Sequence, residues 1–170
     1  MNIQFDRPLF GASTKALAVE KGGYDIAEMK RWFRRKEEQE AANNPMYDVN
    51  IKVVTANENY EIIQRSVSLR EGHHWEVFKD NQFIGDITSA RELKTKARVD
   101  LKGENLPNLS IEATWRGRGK VTVNGQDSGE TKRSGFLVNM KYLIEIENND
   151  VSIDPTLLAG VTYAFWASSE

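Results

Sequence analysis

From Tyr47 to about Glu147 the chain alternates apolar and polar side chains, the pattern that sends successive residues to opposite faces of a β-strand. Val49, Ile51 and Val53 are spaced in this way, as are Trp75 with Val77, Val99 with Leu101, Ile111 with Ala113 and Val121 with Val123. The pattern predicts strands near 48–55, 59–69, 74–79, 83–88, 95–101, 109–116, 119–124, 130–138 and 140–147. Turn residues separate them: Asn57-Glu58-Asn59, Glu71-Gly72, Asp80-Asn81, Gly103 to Pro107, Gly117, Asn124-Gly125 and Asn148 to Asp150. Asn124-Gly125 is the strongest of these signals, because a type I′ hairpin needs positive φ at both central positions. Short antiparallel strands at regular intervals predict a barrel or a sandwich.

The alternation stops at both ends. After Asp154 the run from Pro155 to Ser169 carries no charge. Asp154 is placed to cap the free N–H groups of a helix, with Pro155 in its first position. At ~1.5 Å per residue the apolar part spans roughly 20 Å, short of the ~30 Å hydrocarbon core of a bilayer. A helix surrounded by β-structure is therefore expected, not a membrane anchor. Before Tyr47, residues 1–24 hold Pro8, Gly11, Gly22 and Gly23 among scattered apolar residues and read as an irregular lead-in. Asp25 and Glu28 have capping-box form and predict an amphipathic helix over about 25–42, with Ile26, Met29, Trp32 and Phe33 on one face and Asn43-Asn44-Pro45 ending it. The expected organisation is a lead-in and helix over 1–46 and a β-domain over 47–170.

Composition narrows the function classes. The 170 residues suit one domain with a sizeable core. A formal net charge of −2 offers no global attraction for nucleic acid. The absence of cysteine removes disulfides, thiolate nucleophiles and thiolate zinc ligands. It suits a cytoplasmic setting, as does a start, Met1 to Pro8, without the basic and apolar regions of a signal peptide.

The order of elements carries a resemblance. A strand pair of the form His74-Trp-Glu-Val-Phe-Lys-Asp-Asn-Gln-Phe-Ile-Gly-Asp-Ile87, later hairpins, the strand Tyr142-Leu-Ile-Glu-Ile146 and an acidic residue leading into Asp154–Trp166 resemble the tubby-like superfamily over about residues 47–167. That group includes the tubby C-terminal domain, the LURP-one-related proteins and the scramblase-like proteins. The resemblance implies a mostly β fold, a closed antiparallel barrel threaded by a hydrophobic C-terminal helix. It supplies no catalytic motif. Tubby itself binds phosphoinositide head groups, and scramblase-like members associate with membranes.

Three constellations are candidates for binding. Lys94, Lys96 and Arg98 fall at period two, on one face of a strand if the register holds, where a bound phosphate would relieve their mutual repulsion. Lys96-x-Arg98 is similar to the Lys-x-Arg pair of tubby's lipid site. The plainer reading is a solvated strand face bearing lysines against edge pairing. Arg116, Arg118 and Lys120, interleaved with Gly117 and Gly119, form a second anion candidate, although the run lacks the phosphate-binding glycine patterns and is most simply a hairpin turn. Trp32, Phe33, Arg34 and Arg35 combine rings with cations and are candidates for a partner contact, with docking inside the fold as the plainer alternative. His73 and His74 point to opposite faces if they lie on a strand, so they do not chelate one ion. No nucleophile elbow or acid–base spacing stands out. The sequence reading is a non-enzymatic binding module without metal or cofactor, acting on a protein partner or a second copy of itself. The alternative is a peripheral binder of anionic lipid head groups or phosphate ligands.

Overall fold

Alternation in fact begins at the second residue. The computed structural model describes residues 1–8, 10, 12–40, 49–68, 72–90, 97–115, 117–136, 139–147 and 152–169. In it Ile3 and Phe5 point inward from a first strand, β1 (Asn2–Asp6), and Leu17 and Val19 from a second, β2 (Leu17–Lys21). A third, β3 (Tyr24–Trp32), turns back from β2 through Gly22 and Gly23, whose φ values of 60° and 87° are those of a two-residue hairpin. Nine further strands follow: β4 (Asn50–Val54), β5 (Asn59–Ser68), β6 (Gly72–Lys79), β7 (Gln82–Ala90), β8 (Arg98–Lys102), β9 (Leu109–Ala113), β10 (Arg118–Val123), β11 (Gln126–Ser134) and β12 (Lys141–Ile146). Each pairs with its neighbours in the chain, and β1 pairs with β12, which closes a twelve-stranded antiparallel barrel. Asn124 and Gly125 turn between β10 and β11 with φ values of 49° and 79°.

The amphipathic helix expected over 25–42 is not formed. Residues 24–32 are strand, and the only helix among the described residues of this region is the short α1 (Lys36–Glu40), which buries no residue. Met29 and Arg31 face inward while Glu28 and Lys30 face out, a period of two that an inward-pointing arginine hides from a hydrophobicity count. The Arg31 guanidinium lies over the Phe33 ring, 4.6 Å from its centroid. What decides the conformation is pairing: β3 bonds to β2 on one side and β4 on the other, and without it the wall stays open.

A twelve-stranded wall is wider than the eight strands whose own side chains fill a barrel. The gap is filled by α2 (Pro155–Ser169), which runs through the lumen with every residue from Thr156 to Trp166 buried. Leu158, Val161 and Phe165 are wholly enclosed by inward residues of the wall such as Phe5, Ile51, Ile62, Trp75, Leu101 and Ile144. Gly119 on β10 makes room for this helix: a Cβ there would come within 2.9 Å of the Phe165 ring and 2.7 Å of Thr131. No described helix is long and apolar enough to cross a membrane.

Candidate binding rim

Because the strands run up and down, their connections fall alternately at two rims. The turns 22–23, 55–58, 80–81, 103–108 and 124–125 lie at one rim, together with the entry of α2. At the other rim lie the described residues 7–8, 10, 12–16, 33–40, 49, 97, 114–115, 117, 135–136 and 139–140. The two rims differ in charge. Counting described connections and the strand residues that border them, the second rim carries eight basic and four acidic side chains, the first three basic and five acidic. A chain with a formal charge of −2 thus presents one basic end.

The same basic rim carries three large exposed rings. Phe10 is 72% exposed, Trp115 93% and Phe136 79%. Their connections are consecutive around the rim, because β2 pairs with β1, β1 with β12, β12 with β11, β11 with β10 and β10 with β9. Single exposed apolar side chains are ordinary, but three rings on three neighbouring connections make this arc a candidate interaction surface. Composition did not point to them. Each is isolated in sequence, and only the closure of β1 against β12 brings residues 10, 115 and 136 to one arc.

Beneath this rim the barrel mouth is floored by buried polar groups. Gln64 Oε1 accepts from Val49 N at 2.6 Å, and Gln64 Nε2 lies 3.1 Å from His73 Nδ1. Asn50 Oδ1 accepts from Gln64 N at 2.9 Å, and Ser89 Oγ from His73 N at 2.8 Å. His73 also stacks on Trp75, whose indole N–H donates to Val49 O at 2.9 Å. These bonds satisfy polar groups inside the wall and lock β4, β5, β6 and β7 together there. His74 points outward, 2.8 Å from Asp86, so the two histidines occupy opposite faces. Among the described residues no cluster has the makings of a metal site.

The expected site residues separate. Lys94, Lys96 and Arg116 lie outside the described residues. Arg98 opens β8 and is held by Asp100 at 2.7 Å, the contact that chiefly raises its pKa. Arg118 and Lys120 stand on β10 rather than in a turn, paired with Glu130 at 3.0 Å and Asp127 at 2.8 Å. Burial pushes the Glu130 carboxyl upward, and hydrogen bonds from Arg118 and Lys132 more than reverse it. The shallow concavity of about 560 Å³ beside these residues also contains Glu147, so an anion entering it meets three carboxylates with two cations. Trp32 and Phe33 are half-buried, and the Arg34 guanidinium donates to Gln64 O, which ties them to the wall; Arg35 is exposed.

The geometry therefore moves the candidate surface from single strand faces to the rim as a whole. No family model, curated protein or solved structure matches the chain.

Proposed function

We propose that the protein is a non-enzymatic binding module that docks through its basic, aromatic rim on an anionic membrane surface. The observation that carries this reading is the coincidence of Phe10, Trp115 and Phe136 with the basic end of a charge-divided barrel. Aromatic rings insert at the head-group level of a bilayer, and each Lys or Arg near an anionic leaflet contributes about 1 kcal/mol. The lumen offers no competing site, since α2 fills it. A tubby-like relationship, part of the same proposal, points the same way through the lipid binding of that group, and a cytoplasmic protein would meet the anionic leaflet.

Contact with a protein partner or a second copy is the other reading. Its expected contacts are a helix over 25–42 and the lead-in before it, and β1, β2 and β3 stand in their place. Flotation with vesicles separates the two. The expected result is binding to phosphatidylserine-containing vesicles at low salt, weakening as salt screens the rim, with little binding to neutral vesicles. Replacing Phe10, Trp115 and Phe136 together by Ala abolishes it. Absence of flotation at low salt, or flotation unchanged in the triple variant, overturns the proposal, and a concentration-dependent dimer lost in that variant favours the protein reading.

A further inference from the structure

A groove of about 480 Å³ opens at this rim between the β1–β2 and β11–β12 connections. Its size falls within the range of sites for small organic ligands. Its walls divide into two chemistries. Phe10, Leu17 and Met140 give an apolar side, and Leu17 is only 7% exposed, so the floor of the groove is the barrel core itself. Arg7, Lys15 and Lys141 supply three cations against a single lining carboxylate, Asp6. The Lys141 ammonium is shared between Glu20 at 3.2 Å and Asp6 at 3.9 Å, whereas Lys15 sits on an exposed stretch and forms no ion pair among the described residues.

The groove is shaped in advance. Arg7 N–H donates to Met140 O at 2.8 Å, and its guanidinium rests 3.8 Å from the Met140 sulfur, which clamps one connection to the other. Ser13 N–H donates to Phe10 O at 3.0 Å, and Lys15 N–H donates to Ser13 Oγ at 3.3 Å, folding the β1–β2 connection on itself. A preformed slot spends little of its binding energy on ordering.

We infer that this groove binds a single-chain amphiphile with an anionic head, of the fatty-acid class, its chain along Phe10, Leu17 and Met140 and its carboxylate at Lys15. An apolar ligand alone would leave Lys15 unused, and an inorganic anion would leave the apolar side wet. The inference deepens the membrane reading, since such a ligand would come from the surface on which the rim docks, but it is tested separately.

The test is isothermal titration calorimetry of the full chain with decanoate below its critical micelle concentration, beside decyltrimethylammonium, which has the same chain and the opposite head, and acetate, which has the head alone. The expected result is one decanoate per protein with at least tenfold weaker binding of both controls. Met140→Trp, which fills the slot, and Lys15→Glu, which reverses the exposed cation, each weaken decanoate at least tenfold. If Met140→Trp lowers the melting temperature, Lys15→Glu carries the comparison. Decanoate bound no better than either control, or bound equally by wild type and Lys15→Glu, overturns the inference. Protein that floats on anionic vesicles but ignores decanoate refutes the groove and leaves the membrane reading standing. Protein that binds decanoate but never floats does the reverse.

Discussion

The Tyr60 hydroxyl, on β5 of the barrel wall, donates a hydrogen bond to Asp154 Oδ2 at 3.1 Å, joining the wall to the residue that starts the central helix. The other oxygen of Asp154 caps α2, accepting from Thr156 N at 2.7 Å, Thr156 Oγ1 at 2.6 Å and Leu157 N at 3.3 Å. Burial alone would raise the Asp154 pKa, but these donors outweigh it and hold the carboxyl below its usual range. Tyr60 is shifted the other way, to about 12, first by burial and then by the charge of Asp154. The signs follow. A depressed carboxyl contributes stability that is complete above its unfolded pKa of roughly 3.9 and is lost as pH falls through the folded value. A raised phenol contributes stability that is complete below roughly 10 and is lost as pH rises toward 12. Urea unfolding across pH should show both losses, with Asp154→Asn flattening the acid limb and Tyr60→Phe the alkaline one. Asp154→Ala should also cost about 0.5–2 kcal/mol at neutral pH through the lost cap.

Gly160 lies in the middle of α2, where alanine would be a better helix former by about 1 kcal/mol. A Cβ at this position would stand 2.8 Å from Ile62 Cδ1 and 3.2 Å from Val53 Cγ2. Both are side-chain ends, and Ile62 has a further torsion with which to give way. Gly160→Ala should therefore stay within about 1 kcal/mol of wild type, because the propensity gain offsets the crowding. Gly160→Val adds two branches that neither neighbour can accommodate, and it should lose about 1–3 kcal/mol. Chemical denaturation of the two variants side by side checks the ordering.

Most of the strands from β4 to β12 are legible because most of their inward residues are apolar, as in Val77, Val99, Leu101, Ile111 and Ile144, whereas β11, whose buried side chains are Ser128 and Thr131, is expected over 130–138 and lies at Gln126–Ser134. The terminal helix was legible for the opposite reason: it is buried all round, so it shows an uncharged run rather than a stripe. The first three strands were harder. β1 offers two inward apolar residues, Ile3 and Phe5, and β3 points Arg31 into the wall, so helical spacing of Ile26, Met29, Trp32 and Phe33 outweighed a broken alternation. The Gly22-Gly23 pair is the local signal for a hairpin, but among the scattered apolar residues of 1–24 it is equally compatible with irregular chain. The aromatic rim was illegible in principle, because the common placement of Phe10, Trp115 and Phe136 depends on how the barrel closes.

Gln64 is an amide on the inward face of an otherwise apolar strand segment, held there beside a register shift between Gln64 and Ser66. Its Oε1 satisfies the buried Val49 N–H, and its orientation presents Nε2 to His73. Gln64→Leu matches the surrounding core in character but leaves the Val49 N–H without that acceptor. The expected cost is about 1–3 kcal/mol, the penalty for a buried donor deprived of its partner. Amide hydrogen exchange should localise the effect, with Val49 losing protection while the opposite rim, around Tyr60 and Val123, keeps it. Uniform loss of protection at both rims would mean that Gln64 supports the whole wall.

Removing residues 1–46 takes out β1, β2 and β3 and breaks the β1–β12 and β3–β4 pairings. Two long strand edges are then exposed on β4 and β12, and α2 loses its cover from Phe5, Val19 and Met29, each fully buried in the intact protein. Exposed edges are templates for aggregation. Shrinking the barrel to nine strands would require a new register between β4 and β12 and a lumen too narrow for the same helix. The truncated chain should therefore be insoluble, or soluble without the near-ultraviolet circular dichroism of packed Trp75 and Trp166. Removing Met1 alone would be milder, since it contributes its backbone bonds to Ile146 and a partly buried side chain. If the 47–170 fragment instead gives dispersed amide resonances and melts cooperatively, the first three strands are an appendage to a barrel that closes without them.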